Sequence, residues 1–243
     1  MASAIKTEDI IYSDSPLTMN GFAAYEDGRA EKRPGVLVVH EAWGLDEHVT
    51  TRAKMLASLG YVAFAADMFG DRRQVTKREE AMALIGDLRA NPQKLRVRVR
   101  AALTAMSAMP QVDGARLGAI GFCFGGTSVL ELARDGADAA CVVSFHGGLE
   151  TQMPAVPGEV KARILVCNGA DDPMIPPTQV KAFEDEMHKA GADIRVINYK
   201  GAVHNFTNPA ADGSIAPGIL YNKPADERSW AAMRAFFADV FGR

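Results

Sequence analysis

Gly35-Val-Leu-Val-Val-His40 is an unbroken apolar run with no polar alternation. Such a run belongs to a strand buried on both faces, which requires helices on both sides of a sheet and favours parallel strands. The segments around it supply the crossovers. Val49, Ala53, Leu56 and Leu59 fall at helical spacing and stop at Gly60, the residue type that best takes the left-handed position after a helix. Tyr61 to Ala66 reads as a second buried strand, and Thr76-x-x-Glu79 as a capping box ahead of a helix carrying Ala81, Met82, Leu84 and Ile85. Leu95-Arg-Val-Arg-Val-Arg100 alternates like a strand. Asn91-Pro92 nevertheless supplies a cap and a first-turn proline, and Leu95, Val99, Leu103 and Met106 continue at helical spacing, so this segment is expected to be helix.

The same alternation continues to the end of the chain. Strands are expected from Arg116 to Gly121, Ala139 to Phe145, Ala162 to Cys167 and Ile194 to Tyr199. Helices are expected from Gly125 to Arg134, through Val180, Phe183, Met187 and Ala190 up to Gly191, and through Trp230, Met233, Phe237 and Val240. Before all of these, Ile10, Tyr12, Phe22 and Ala24 alternate around Ser13-Asp14-Ser15-Pro16, the signature of an N-terminal β-hairpin. The expected fold class is α/β, with a mostly parallel, doubly wound sheet carrying that hairpin and right-handed crossovers. Its chemistry is expected at the C-terminal ends of the strands.

Composition sets outer limits. With 243 residues, 48% hydrophobic and 23% charged, the chain is long enough for a sizeable core, and residues 1–243 are read as one domain. A net charge of −3 and a pI near 6.0 provide no field for a polyanion, so no nucleic-acid partner is expected. The three cysteines, at 123, 141 and 167, have no C-x-x-C spacing, which suits a reducing cytoplasm better than zinc or a disulfide framework. No apolar leader occupies Met1 to Ile11 and no run of about 18 apolar residues occurs, so neither secretion nor a membrane partner is expected. His-x-x-x-His, G-x-G-x-x-G and Walker patterns are missing from the sequence, and no cofactor or metal is expected.

Three short segments carry the chemistry. Gly121-Phe-Cys123-Phe-Gly125-Gly126 lies between an expected strand and an expected helix, the context in which a G-x-nucleophile-x-G sequence forms a nucleophile elbow. Glycines on either side allow the backbone to turn sharply and expose the side chain between them, and the helix N-terminus favours a thiolate. Asn168-Gly-Ala-Asp-Asp172-Pro-Met-Ile-Pro176 follows one strand, and Gly201-Ala-Val-His204-Asn-Phe206 follows another. Nucleophile, acid and base thus occur in an order that places all three on one edge of the sheet. Cys141 and Cys167 lie within expected strands and read as core.

These segments, together with His40-Glu-Ala-Trp-Gly44, Gly60-Tyr-Val-Ala and Phe145-His-Gly-Gly-Leu149, resemble the dienelactone hydrolases (carboxymethylenebutenolidases) from about Gly35 to Phe241. Cysteine at the elbow, where most α/β-hydrolases carry serine, makes the resemblance specific. It implies Cys123 as nucleophile, Asp172 rather than Asp171 as acid, His204 as base, and Glu41 as a partner that helps the thiol ionise. The backbone N–H groups of Ala42 and Phe124 would stabilise the oxyanion. Trp43, Phe206 and Tyr221 are candidate apolar walls for a substrate. One departure concerns the family's carboxylate clamp: an arginine four residues after the histidine is here Asn208, and Arg72 or Arg73 is the candidate for the other half.

A cysteine nucleophile also narrows the substrate. A thiolate of pKa about 8.5 leaves a tetrahedral intermediate more readily than an alkoxide does. Enol lactones, aryl esters and thioesters are therefore expected to be hydrolysed through a thioester acyl-enzyme, and plain alkyl esters poorly. The expected partner is this small molecule, with the protein a monomer or small homo-oligomer. The competing readings are a thiol redox or sensing protein and a non-catalytic ligand-binding hydrolase fold.

Overall fold

A computed structural model describes residues 4–242, so residues 1–3 and 243, which the single-domain reading includes, lie outside the described residues. The chain divides into two compact units, Met1–Ile120 and Gly121–Arg243. The first contains β1 (Ile5–Ser13), β2 (Thr18–Glu26), β3 (Arg33–Val39), α1 (Glu47–Ser58), β4 (Val62–Ala66), α2 (Arg78–Ala90) and α3 (Pro92–Ser107). The boundary falls near the end of β5 (Val112–Phe122), and the second unit continues with α4 (Phe124–Arg134), β6 (Cys141–Phe145), β7 (Arg163–Gly169), α5 (Pro177–Ala190), β8 (Ile194–Tyr199) and α6 (Lys223–Phe241). The strand order is β1-β2-β4-β3-β5-β6-β7-β8 in a mostly parallel sheet, as the run of buried strands predicts.

In the first unit the hairpin pairs β1 with β2 antiparallel, from Ile5 opposite Glu26 to Ser13 opposite Thr18. The buried run lies on β3, parallel to β4 with Val36 opposite Ala63, and Val36 to Val39 are fully buried. The ambiguous Leu95 to Arg100 segment is helical, as expected from its caps. The Asn91 side chain accepts the Lys94 N–H, and Pro92 opens α3. The Thr76 capping box does not form. Helix α2 begins one residue later, behind Lys77, without a side-chain cap. A threonine can cap only if the chain enters the helix directly after it.

In the second unit β6, β7 and β8 run parallel, with Cys141 opposite Arg163 and Ile164 opposite Ile194. Their Val142, Val143, Leu165 and Val166 are fully or almost fully buried. Phe122 stacks on Phe145 at 4.9 Å between ring centroids. Arg134, at the end of α4, is buried but paired. It meets Glu131 at 3.0 Å and Glu186 of α5 at 2.8 Å, and donates to the Leu149 carbonyl at 2.7 Å. Removing one partner of such a buried charge typically costs about 3 to 5 kcal/mol. The network therefore anchors the loop after β6 to α5.

Candidate active site

Cys123 sits at the junction of β5 and α4 with φ 51 and ψ −114, a conformation that costs an ordinary residue energy and persists only where the surroundings enforce it. Two features enforce it here. Gly121 approaches the Gly125 carbonyl so closely that a Cβ would lie inside it, so only glycine fits. The Cys123 N–H is held by the Phe145 carbonyl at 3.0 Å and by His146 Nδ1 at 3.1 Å. The side chain is left half-buried at the start of α4, while Cys141 and Cys167 are fully buried. Burial pushes the Cys167 thiol up to about 12 and raises that of Cys141 as well. A thiol so raised is a core residue.

The loops after β7 and β8 meet at Gly169, where a Cβ would collide with the Ala202 carbonyl. This close approach brings Asp172 against His204. Asp172 Oδ2 lies 2.8 Å from His204 Nδ1, and its Oδ1 accepts the Met174 N–H at 2.8 Å. His204 Nε2 lies 3.2 Å from Cys123 Sγ. Asp171 points elsewhere, accepting the Gly201 N–H at 2.9 Å. The backbone of His204 is fixed in both directions, its N–H donating to the Gly218 carbonyl at 3.0 Å and its carbonyl accepting the Leu220 N–H at 3.1 Å.

His204 is buried, and burial alone would lower its pKa. The electrostatic interaction with the Cys123 sulfur and the hydrogen bonds to Asp172 and Cys123 outweigh that effect and raise it. A carboxylate on one nitrogen and sulfur on the other can hold an imidazolium beside a thiolate, or move a proton between sulfur and a second group at the site.

Other residues singled out in the sequence lie as follows. Phe124 is the first residue of α4, directly after Cys123. Phe206 is fully buried, its ring 5.2 Å from that of His146 and 5.7 Å from that of Tyr199, which makes it packing behind the histidine. Asn208 closes a turn, its Oδ1 accepting the Ala210 N–H at 3.0 Å. The Tyr221 hydroxyl reaches Asp226 of α6 at 3.4 Å.

In the first unit Glu41 is buried, its Oε1 3.5 Å from His48 Nδ1, and Ala42 follows it. The Trp43 carbonyl accepts the Val75 N–H at 3.0 Å. Arg72 pairs with Asp9 of the hairpin at 2.6 Å and Arg73 with Glu80 of α2 at 2.5 Å, so both candidate arginines carry carboxylate partners within that unit.

Sequence reasoning missed His146 and Thr207. His146 is fully buried with φ 42, and its Nε2 lies 2.7 Å from Thr207 Oγ1. A histidine directly after a strand, at the edge where the nucleophile emerges, was the available signal.

The model described as "Dienelactone hydrolase family" matches residues 19–241. A solved structure titled m3DLH is 40% identical, with a TM-score of 0.93 over 98% of this chain and 99% of its own. A dienelactone hydrolase-like promiscuous phosphotriesterase from metagenomic libraries is also 40% identical, with a TM-score of 0.94 and the same coverage. Uncharacterized protein K02A2.1 of Caenorhabditis elegans is 39% identical over 61% of this chain and 95% of its own length.

Proposed function

The chain belongs to the dienelactone hydrolase family, and from that premise we propose that it hydrolyses small activated carboxylic esters or enol lactones through a Cys123-His204-Asp172 triad and a thioester intermediate. The observation that carries this reading is His204, bridged between Cys123 Sγ at 3.2 Å and Asp172 at 2.8 Å. A match running through both units, 19–241, supports reading them as one hydrolase domain.

The Cys123 thiolate attacks the carbonyl carbon, and the new oxyanion accepts a hydrogen bond from the Phe124 N–H, aided by the N-terminal end of the α4 dipole. Collapse breaks the C–O bond to the leaving group and leaves an acyl group on sulfur. His204 protonates a leaving group that needs a proton, then takes one from water, which hydrolyses the thioester and returns the thiol. Asp172 holds His204 in the tautomer with the proton on Nδ1 and stabilises the imidazolium. Ala42, the second expected oxyanion donor, and Glu41, the expected aid to ionisation, belong to the first unit and are proposed on the family resemblance.

No described helix is long and apolar enough to cross a membrane. Three free cysteines support a reducing, cytoplasmic setting for a chemistry that needs a thiolate. The test is hydrolysis of p-nitrophenyl acetate by wild type, Cys123→Ala and His204→Gln. Loss in both variants is the expected result. Full activity in Cys123→Ala would transfer the reading to a redox or binding role.

A second reading concerns the electrophile. Similarity at 40% identity to a promiscuous phosphotriesterase suggests that the same thiolate attacks phosphorus in an aryl phosphotriester. An S–P bond would form as the aryl oxide leaves, and water would then cleave it. Slow release of p-nitrophenol from paraoxon, lost in Cys123→Ala, is the expected signature.

A further inference from the structure

His146 is a fully buried residue that the triad does not use. It follows β6 with a positive φ of 42, uncommon for a residue other than glycine, although histidine takes it more readily than most. Its own N–H donates to the Cys167 carbonyl of β7 at 2.8 Å, which fixes that backbone.

Its ring joins two parts of the site. Nδ1 lies 3.1 Å from the backbone nitrogen of Cys123, whose N–H can only donate. Nδ1 must therefore present a lone pair, and the ring proton of a neutral imidazole is then on Nε2. That nitrogen lies 2.7 Å from Thr207 Oγ1, three residues beyond His204, and Thr207 is fully buried as well. The ring also stands edge-on to His204 at 5.4 Å and to Phe206 at 5.2 Å.

We propose that His146 is a positioning residue that ties the Cys123 backbone to the His204 loop, and that it does so as the neutral tautomer protonated on Nε2. This inference rests on the thiol reading above and extends it. The Cys123 N–H is shared between the Phe145 carbonyl and His146, so losing the ring leaves one acceptor to hold the peptide plane that aims the sulfur. Anchoring the other nitrogen on Thr207 makes any shift of the elbow relative to His204 work against a buried hydrogen bond. The Sγ to Nε2 separation of 3.2 Å is thereby held from behind as well as by the glycine turn.

Four variants test this: His146→Phe, which keeps a ring without hydrogen bonds; His146→Asn, which keeps an acceptor near Nδ1 and tolerates the backbone; Thr207→Val; and Thr207→Ser. The readouts are the rate of Cys123 alkylation by iodoacetamide, followed by intact mass, and kcat and KM for p-nitrophenyl acetate per titratable thiol. A misaimed nucleophile costs on the order of 100-fold, so His146→Phe should slow alkylation and kcat by about that factor while KM moves less than about threefold. Thr207→Val should lose roughly 10-fold, the usual scale for an orienting partner. Thr207→Ser should recover most of that loss, and His146→Asn should fall between wild type and His146→Phe.

Alkylation and kcat within about twofold of wild type in His146→Phe, normalised to folded protein, would overturn the proposal. So would Thr207→Ser as impaired as Thr207→Val, and that pair decides the matter if His146→Phe does not fold. The alkylation rate does not depend on turnover. Hydrolysis surviving in Cys123→Ala alongside slow alkylation in His146→Phe would remove the thiol reading and leave the positioning role standing.

Discussion

Two buried histidines at the ends of strands, His40 after β3 and His204 after β8, behave in opposite ways. The difference lies in their partners. His40 Nδ1 faces the Glu41 carbonyl at 2.6 Å and its Nε2 accepts the Met68 N–H at 3.2 Å, an arrangement that suits a neutral ring. The neighbouring Asp67 already accepts N–H bonds from Asn20, Phe69, Gly70 and Arg72. Burial therefore dominates at His40 and pushes its pKa down to about 4. His204 is buried too, yet its nitrogens meet sulfur and carboxylate, and its pKa is raised. One histidine pins a loop, and the other can hold and move a proton.

The largest effect expected from breaking this contrast is at Cys123 and His204. Cys123→Ala or His204→Gln should lower kcat for p-nitrophenyl acetate by about 1,000-fold or more, measured per folded molecule. Next comes the carboxylate that distinguishes His204 from His40. Asp172→Asn should cost roughly 100- to 10,000-fold in kcat with the fold intact, whereas Asp171→Asn should stay within about threefold. Comparable losses in both aspartate variants would contradict the assignment to Asp172.

Stability against pH should separate the two histidines next. His40 has a folded pKa of about 4, below the unfolded value near 6.5. The unfolded chain therefore binds the extra proton between these values. His40's contribution to stability is full above pH 6.5 and is lost as pH falls to about 4, by about 3 kcal/mol. For His204 the sign is reversed. Its folded pKa is raised, so its contribution is full below about pH 6.5 and is lost as pH rises through the folded value. Urea midpoints across this range, in wild type, His40→Gln and His204→Gln, would show each slope vanish in its own variant. The smallest effect is expected at Arg72, a partly exposed partner of Asp9, where Arg72→Ala should change stability by less than about 1 kcal/mol.

The sequence was most informative where a role depends on neighbours along the chain. The continuous apolar stretch on β3, the hairpin around Ser13 to Pro16 and the Asn91-Pro92 helix start are local patterns, and each forms as expected. The meeting of Cys123, Asp172 and His204 was legible because each follows a strand on the same edge. The Thr76 capping box was misleading because its pattern does not say where the chain enters the helix. His146 and Thr207 are 61 residues apart, and no spacing rule links them. The same holds for the backbone clasp of Gly218 and Leu220 on His204, which depends on how a long loop returns.

The central claim is that Cys123 carries the acyl group during turnover. Intact-protein mass spectrometry after rapid acid quench, with p-nitrophenyl acetate and wild-type protein, tests it most directly. The account predicts a transient acetyl adduct that maps to Cys123, decays as substrate is exhausted and accumulates in Asp172→Asn if thioester hydrolysis slows more than acylation. Product accumulating through a full turnover with no adduct on Cys123, or an adduct on another residue in active protein, would contradict it.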